Sequence, residues 1–263
     1  TAEVWEAQGR AMGLDKPLIV QYLLWLKNAA VGDFGDSVHF RRNSLDLILK
    51  FLPATLQLSG ISFLCALLIG IPLGVLSAVK RTTGWDYLGR SFALLGQAAP
   101  PFWIALVFIW IFSVHLGWLP TSRKGDWTHY VMPVIVLGWL PAAGLLRLTR
   151  SSMLEVLDSE YVKLARAKGV STKAIIWKHA FRNSLIAPLT YAAILLANFL
   201  TGTVVVETVF AWPGLGRLSV MAALNTDFPL ITGLALVFSV IFLLCSLVAD
   251  ILYALLDPRI RIS

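Results

Sequence analysis

Five stretches of this chain, Ala54–Val79, Ser91–Pro120, Trp127–Leu146, Asn183–Val206 and Phe228–Ala249, contain no Asp, Glu, Lys or Arg. Each holds the roughly 20 residues a helix needs to cross a bilayer. Within hydrocarbon a backbone must satisfy its own hydrogen bonds, and a helix does so inside one segment. The expectation is an all-α, polytopic transmembrane helical bundle. Composition agrees: 57% of the 263 residues are hydrophobic and 14% charged, against about 25% charged in soluble domains. Ten Trp and fourteen Phe suit aromatic belts at the membrane interfaces. Pro100-Pro101 lies near the middle of the second stretch. Proline removes a backbone donor and kinks a helix, so this stretch reads as a bent span; two half-helices meeting at the prolines are the alternative.

The loops set the orientation. Lys80, Arg81 and Arg90, eight basic residues between Arg147 and Arg182, and Arg259 and Arg261 make thirteen on one side. The other side has Arg123, Lys124 and Arg217, plus six in the long N-terminal stretch, whose charges weigh less. The basic loops and the C-terminus are therefore expected in the cytoplasm and Thr1 outside. An external start requires a translocating element upstream, so a sixth, N-terminal span is expected to be missing from this sequence. Residues 1–53 read as an external segment with interfacial helices, among them the run after Pro17, which suits a first helical turn. Gly32-Asp33-Phe34-Gly35 marks a turn. Residues 54–256 form the membrane domain and 257–263 a cytoplasmic tail. The net charge of +7 follows from this topology; no basic patch interleaved with aromatics points to nucleic acid, and the surrounding partner is membrane lipid.

No phosphate-binding G-x-x-x-x-G-K-[ST] loop, H-E-x-x-H, C-x-x-C or G-x-S-x-G is present. The expectation is a non-enzymatic chain with no catalytic residues, no metal and no cofactor of its own. His39, His115, His129 and His179 are scattered, and Cys65 and Cys245 fall in apolar stretches as packing residues. Ion-coupled carriers place ionisable groups inside the membrane; the stretches hold none, and Asp250 lies near a cytoplasmic end. The driving energy must then enter from elsewhere.

The segment Arg147–Arg182 carries eight Lys/Arg and three acids. Ser159 and Glu160 precede a helical run, Tyr161–Lys168, with Lys163, Arg166 and Lys168 toward its C-terminal end, where the helix dipole favours cations. Gly169 stops it. Ser171 or Thr172 can cap a second helix, Lys173–Phe181. Ala165 and Ala167 keep the surface small enough for close approach by a partner. A solvated basic loop is the plain alternative to a docking knob.

LARAKGV followed by KHAFRN resembles the cytoplasmic coupling loop of binding-protein-dependent ABC importer permeases, particularly the dipeptide, oligopeptide, nickel and glutathione branch. That branch's A-R-A-K-G then H-x-L-R-N matches Ala165–Gly169, His179, Arg182 and Asn183, with Phe181 for leucine. The wider family has Glu-Ala-Ala, three residues, then Gly; Lys163 stands in place of the acid. GDFGDS, LPATLQL, GIPLGVLSAVKR, VVETVFAWPGLGRL and LLDPRIR also resemble the branch.

The resemblance implies a type I ABC importer permease in the bacterial inner membrane, moving substrate, peptides foremost, from periplasm to cytoplasm by alternating access. It implies a second homologous permease, two ATP-binding subunits that carry ATP and Mg, and a periplasmic substrate-binding protein. Glu160 to Ser171, with His179, Arg182 and Asn183, would meet the ATPase. In the external segment Glu207–Pro229, Glu207, Phe210, Trp212, Pro213, Gly214, Gly216, Arg217 and Asp227 form either a re-entrant turn or a gate and docking surface. Gln97, Pro100, Pro101 and Asn198 either satisfy interhelical packing or border the substrate path.

Overall fold

The computed structural model describes residues 16–256, with side chains for all of these except 197, 198, 200–202 and 252–256. Thr1, the C-terminal tail 257–263 and the Asn198 side chain lie outside the described residues. Among the described residues the regular elements are all helices, joined by turns and loops, with one isolated bridge, Asp36 to Asn43.

α1 (Leu18–Ala30) follows Pro17, as expected, and ends in a turn where Gly32 and Gly35 take positive φ. Leu18 and Ile19 are exposed, while Trp25 and Ala29 pack on a core shared with Phe34, Ile48, Leu215 and Leu230. The N-terminal segment is thus packed onto the last helices of the bundle. Its anchor is Asp227, fully buried, which accepts from the Ser37 hydroxyl at 2.5 Å and from the backbone N–H groups of Val38 and His39 at 3.2 Å.

α2 (Ser44–Val79) starts where the Asn43 side chain accepts from the N–H of Leu45 and Asp46, which satisfies donors a helix start leaves open. It packs along α5 (Thr128–Leu157) backbone to backbone. A Cβ on Gly70 would lie 2.7 Å from the Ala142 carbonyl oxygen, and one on Gly74 2.8 Å from that of Leu146. Small residues at such contacts let membrane helices approach closely where lipid offers no hydrophobic drive.

The second apolar stretch is two helices, α3 (Gly84–Ala98) and α4 (Pro101–Phe108, continuing as a wider π-type turn to His115). Their axes differ by 107° at the prolines. A single bent span is therefore replaced by the half-helix arrangement: Ala99 and Pro100 take extended backbone, and Pro101 starts a new helix where its missing N–H is not needed. α6 (Glu160–Ala167) and α7 (Thr172–Ala174, widened over Ile175–Phe181) follow α5. α8 (Ile186–Val209), α9 (Leu215–Leu224) and α10 (Phe228–Leu256) complete the chain. Among the described residues α2, α5 and α10 are each long and apolar enough to span a membrane, and the broken pair α3–α4 passes the same test together. α8, 24 residues long, occupies the fourth expected stretch.

Candidate functional site

The basic segment folds as a knob at the end of α5. α6 buries Val162 and leaves Tyr161, Lys163, Leu164, Arg166, Ala167 and Lys168 exposed; Ala165 is half-buried. The helix ends because Gly169 takes φ +76, a left-handed conformation open to glycine. There the Val170 N–H donates to the Ala165 carbonyl at 3.1 Å and the Gly169 N–H to that of Arg166 at 3.0 Å, the paired bonds of a Schellman stop. Space around Gly169 is open, so backbone conformation alone demands glycine there. The Ser171 hydroxyl accepts from the Ala174 N–H at 3.4 Å. The expected regular helix Lys173–Phe181 is instead one α-turn followed by a π-type segment, closed by a short turn at Arg182–Ser184.

Three residues singled out by sequence meet here. The Asn183 amide donates to the Tyr161 hydroxyl at 2.9 Å, and that hydroxyl donates to the His179 carbonyl at 3.4 Å. His179 thus contributes through its backbone. Val75, Ala78, Met153 and Ala180 seat the knob on the ends of α2 and α5. Lys163, in place of the family acid, pairs with Glu160 at 2.8 Å on the exposed surface, a contact worth little in solvent. Arg182 is exposed. Tyr161→Phe removes both bonds of its hydroxyl, about 1 kcal/mol of local stability. Trypsin cleavage after Lys168 should then be about five-fold faster, measured by timed digestion of the purified protein.

Sequence reasoning missed the anchor beside the knob. Asp86, fully buried, accepts from Arg150 Nε at 2.7 Å and its terminal nitrogen at 3.0 Å, from the Ser77 hydroxyl at 2.6 Å and from the Thr82 N–H at 3.1 Å. Arg90 lies 3.4 Å away. One carboxylate ties α2, α3 and α5 together. Its only sequence signal is that Asp86 is the single acid in the basic loop Lys80–Arg90.

At the opposite end, Glu207 is also fully buried. It accepts from the Thr55 hydroxyl at 2.8 Å and the Arg217 N–H at 3.1 Å, and the Gly216 N–H and Thr203 also bond to it. Thr55 accepts in turn from the Leu215 N–H at 2.7 Å. The Trp212 indole donates to the Ala54 carbonyl at 3.0 Å, and the Arg217 guanidinium to that of Ala211 at 2.8 Å. Gly214 and Gly216 are required by closeness: a side chain on Gly214 would collide with the Glu207 carboxylate, and one on Gly216 would lie 2.6 Å from the Val204 Cα. Because Glu207, Phe210, Trp212 and Asp227 are buried, they shape this segment from within. Pro213 and Arg217 are the partly exposed members of the set.

Between α4, α5 and α8 lies a cavity of about 310 Å³, lined by Pro101, Leu137, Leu140, Pro141, Tyr191 and Leu195 among others, almost wholly apolar. Among the described side chains Pro101 is the one pathway candidate on its wall; Pro100 forms the helix break, and Gln97 accepts from Arg147 at 3.0 Å. Among the described residues, no three of His, Cys, Asp and Glu gather to hold a metal.

Residues 70–262 match the model of the family described as binding-protein-dependent transport system inner membrane component. The chain belongs to that family. It is a permease subunit of a binding-protein-dependent importer, a class that works with a second permease, ATPase subunits and a binding protein. The permease is 41% identical over 260 residues to the oligopeptide transport system permease protein AppB of Bacillus subtilis (strain 168), covering 95% of this chain and 82% of that one. It is 41% identical to the glutathione transport system permease protein GsiC of Escherichia coli (strain K12), covering 99% and 85%. The dipeptide transport system permease protein DppB of Alkalihalophilus pseudofirmus is 37% identical over 278 residues, covering 95% and 84%. In fold, the permease resembles an inward-facing structure of the MetNI methionine ABC transporter, with a TM-score of 0.67, 17% identity, and coverage of 80% and 96%. A crystal structure of an amino acid ABC transporter with histidines gives 0.64, 14%, and 79% and 93%.

Proposed function

We propose that this permease carries peptides from periplasm to cytoplasm and receives its energy at the α6–Gly169–α7 knob. The observation that carries the reading is the knob itself. Its small, basic, exposed edge is fixed by the Gly169 stop and by the Tyr161–Asn183 bond, and it stands directly on the end of a 30-residue helix. A partner ATPase, supplying ATP and Mg, would meet Glu160 through Ser171; its closure would move the knob and tilt the helices behind it, a population shift between inward- and outward-facing states. The names of the relatives, for oligopeptide, dipeptide and glutathione transport, support peptides as cargo. So does a charge-free cavity wall, which makes no side-chain-specific demand. The basic loops and C-terminus would face the cytoplasm, the α9 segment the periplasm and its binding protein, and α1 the outer interface.

Gly169→Trp puts a β-carbon in left-handed backbone and an indole on the proposed contact. The protein is expected to remain in the membrane and assemble with the partner permease, while ATP hydrolysis stimulated by the loaded binding protein is lost. Hydrolysis at the wild-type rate in the reconstituted complex would refute the contact.

A further inference from the structure

We propose that the groove between α3 and α5 holds an oxyanion, a carboxylate or a phosphate, on the guanidinium of Arg147. The groove has a volume of about 310 Å³ and is lined by Arg90, Gln97, Arg147, Arg150 and Ser151, with Ala93, Leu94 and Leu146 as apolar walls. Among the described residues, two of the three guanidinium groups here share one carboxylate, that of Asp86. Arg150 grips Asp86 with two hydrogen bonds, and Arg90 lies 3.4 Å from the same carboxylate and 4.7 Å from the centre of the Tyr87 ring. Arg147 has no share in that charge. Among the described residues its one hydrogen bond goes to the neutral Gln97 amide at 3.0 Å, which engages one of the five donors in its fork.

Position makes this unusual. Arg147 is exposed and follows directly on the charge-free stretch Trp127–Leu146, one helical turn before Arg150, so its guanidinium stands where the apolar span gives way to the basic segment. A carboxylate or phosphate matches the planar fork with two parallel bonds. Basic grooves between membrane helices near the cytoplasmic face are suited to anionic headgroups, and Leu94, an exposed wall of the groove, would cover the apolar part of an amphiphile. A peptide's terminal carboxylate presents the same chemistry. The site rests on Arg147 and its surroundings; the importer reading enters only through the peptide as one source.

The test uses the detergent-purified complex of both permeases and both ATPases. Thermal unfolding is followed during titration with dioctanoyl phosphatidylglycerol, dioctanoyl phosphatidylcholine, inorganic phosphate and trialanine. Wild type should be stabilised by phosphatidylglycerol, phosphate or trialanine and not by phosphatidylcholine, whose phosphate is offset by choline. Arg147→Gln should weaken that binding about ten-fold or more, with Arg147→Lys in between, because it keeps charge and loses the fork. A response to phosphatidylglycerol alone identifies a lipid headgroup; a response to phosphate or trialanine identifies a soluble oxyanion. No stabilisation by any of the three, or equal affinity in Arg147→Gln, overturns the site. Loss of ATPase stimulation by the binding protein tests the importer reading separately, since the titrations need no turnover.

Discussion

Asp86→Ala is expected to destabilise the protein by about 3 kcal/mol, because removing one partner of a buried pair leaves the other charge uncompensated. Arg150, with a side chain 22% exposed, would lose both its bonds, and the Ser77 hydroxyl and Thr82 N–H would lose their acceptor. The check is thermal or denaturant unfolding of the purified complex. The double variant Asp86→Ala/Arg150→Met should recover part of the loss, since an apolar pair leaves no stranded charge. If the double variant lost as much as the two single losses added together, the pair would not be the origin of the effect.

Glu207→Ala should cost a similar amount, about 3 kcal/mol, for a different reason: its donors are uncharged and come from three elements, α2, α8 and α9. The Thr55 hydroxyl and the N–H groups of Gly216 and Arg217 would be left buried without their acceptor, each a desolvation penalty of about 1–3 kcal/mol. Glu207→Gln keeps one acceptor oxygen and should fall in between. Gly214→Ala gives an independent reading. In wild type its methyl meets the Glu207 carboxylate, an overpacking that costs about 1–3 kcal/mol; in the Glu207→Ala background that collision is gone and the added loss should shrink. Equal losses in both backgrounds would mean that the glycine answers to something other than the carboxylate.

The features that proved legible in sequence are those set by local chemistry. Charge-free stretches near 20 residues long mark the helices because hydrocarbon admits no other spanning segment of this kind. Gly169 marks the knob's turn because left-handed backbone favours glycine, and Pro17 marks the start of α1. What stayed hidden depends on distant partners. Pro100 and Pro101 announce a kink, but the size of the 107° between α3 and α4 goes with α3 packing on α2 and α5 while α4 packs on α5 and α8. Asp86 and Arg150 are 64 residues apart. Glu207 and Asp227 read as members of an external turn or docking surface, and their burial arises from segments more than 150 residues away folding back on them. Gln97 stood out as a polar group in an apolar stretch, yet its structural partner is Arg147 and not the cavity.

The glycine seam between α2 and α5 has a mechanical consequence. With Gly70 against the Ala142 carbonyl and Gly74 against that of Leu146, neither helix can slide along the other without driving backbone into backbone, so the pair keeps one register and moves as a strut. At 30 residues α5 is about 45 Å long, and the knob sits at one end of it. A tilt of about 5° imposed at that end displaces the other by about 4 Å, roughly the width of a methylene chain. On the proposed coupling, a stroke of a few ångströms at the knob would be enough, in leverage alone, to open or shut a passage at the other end of α5.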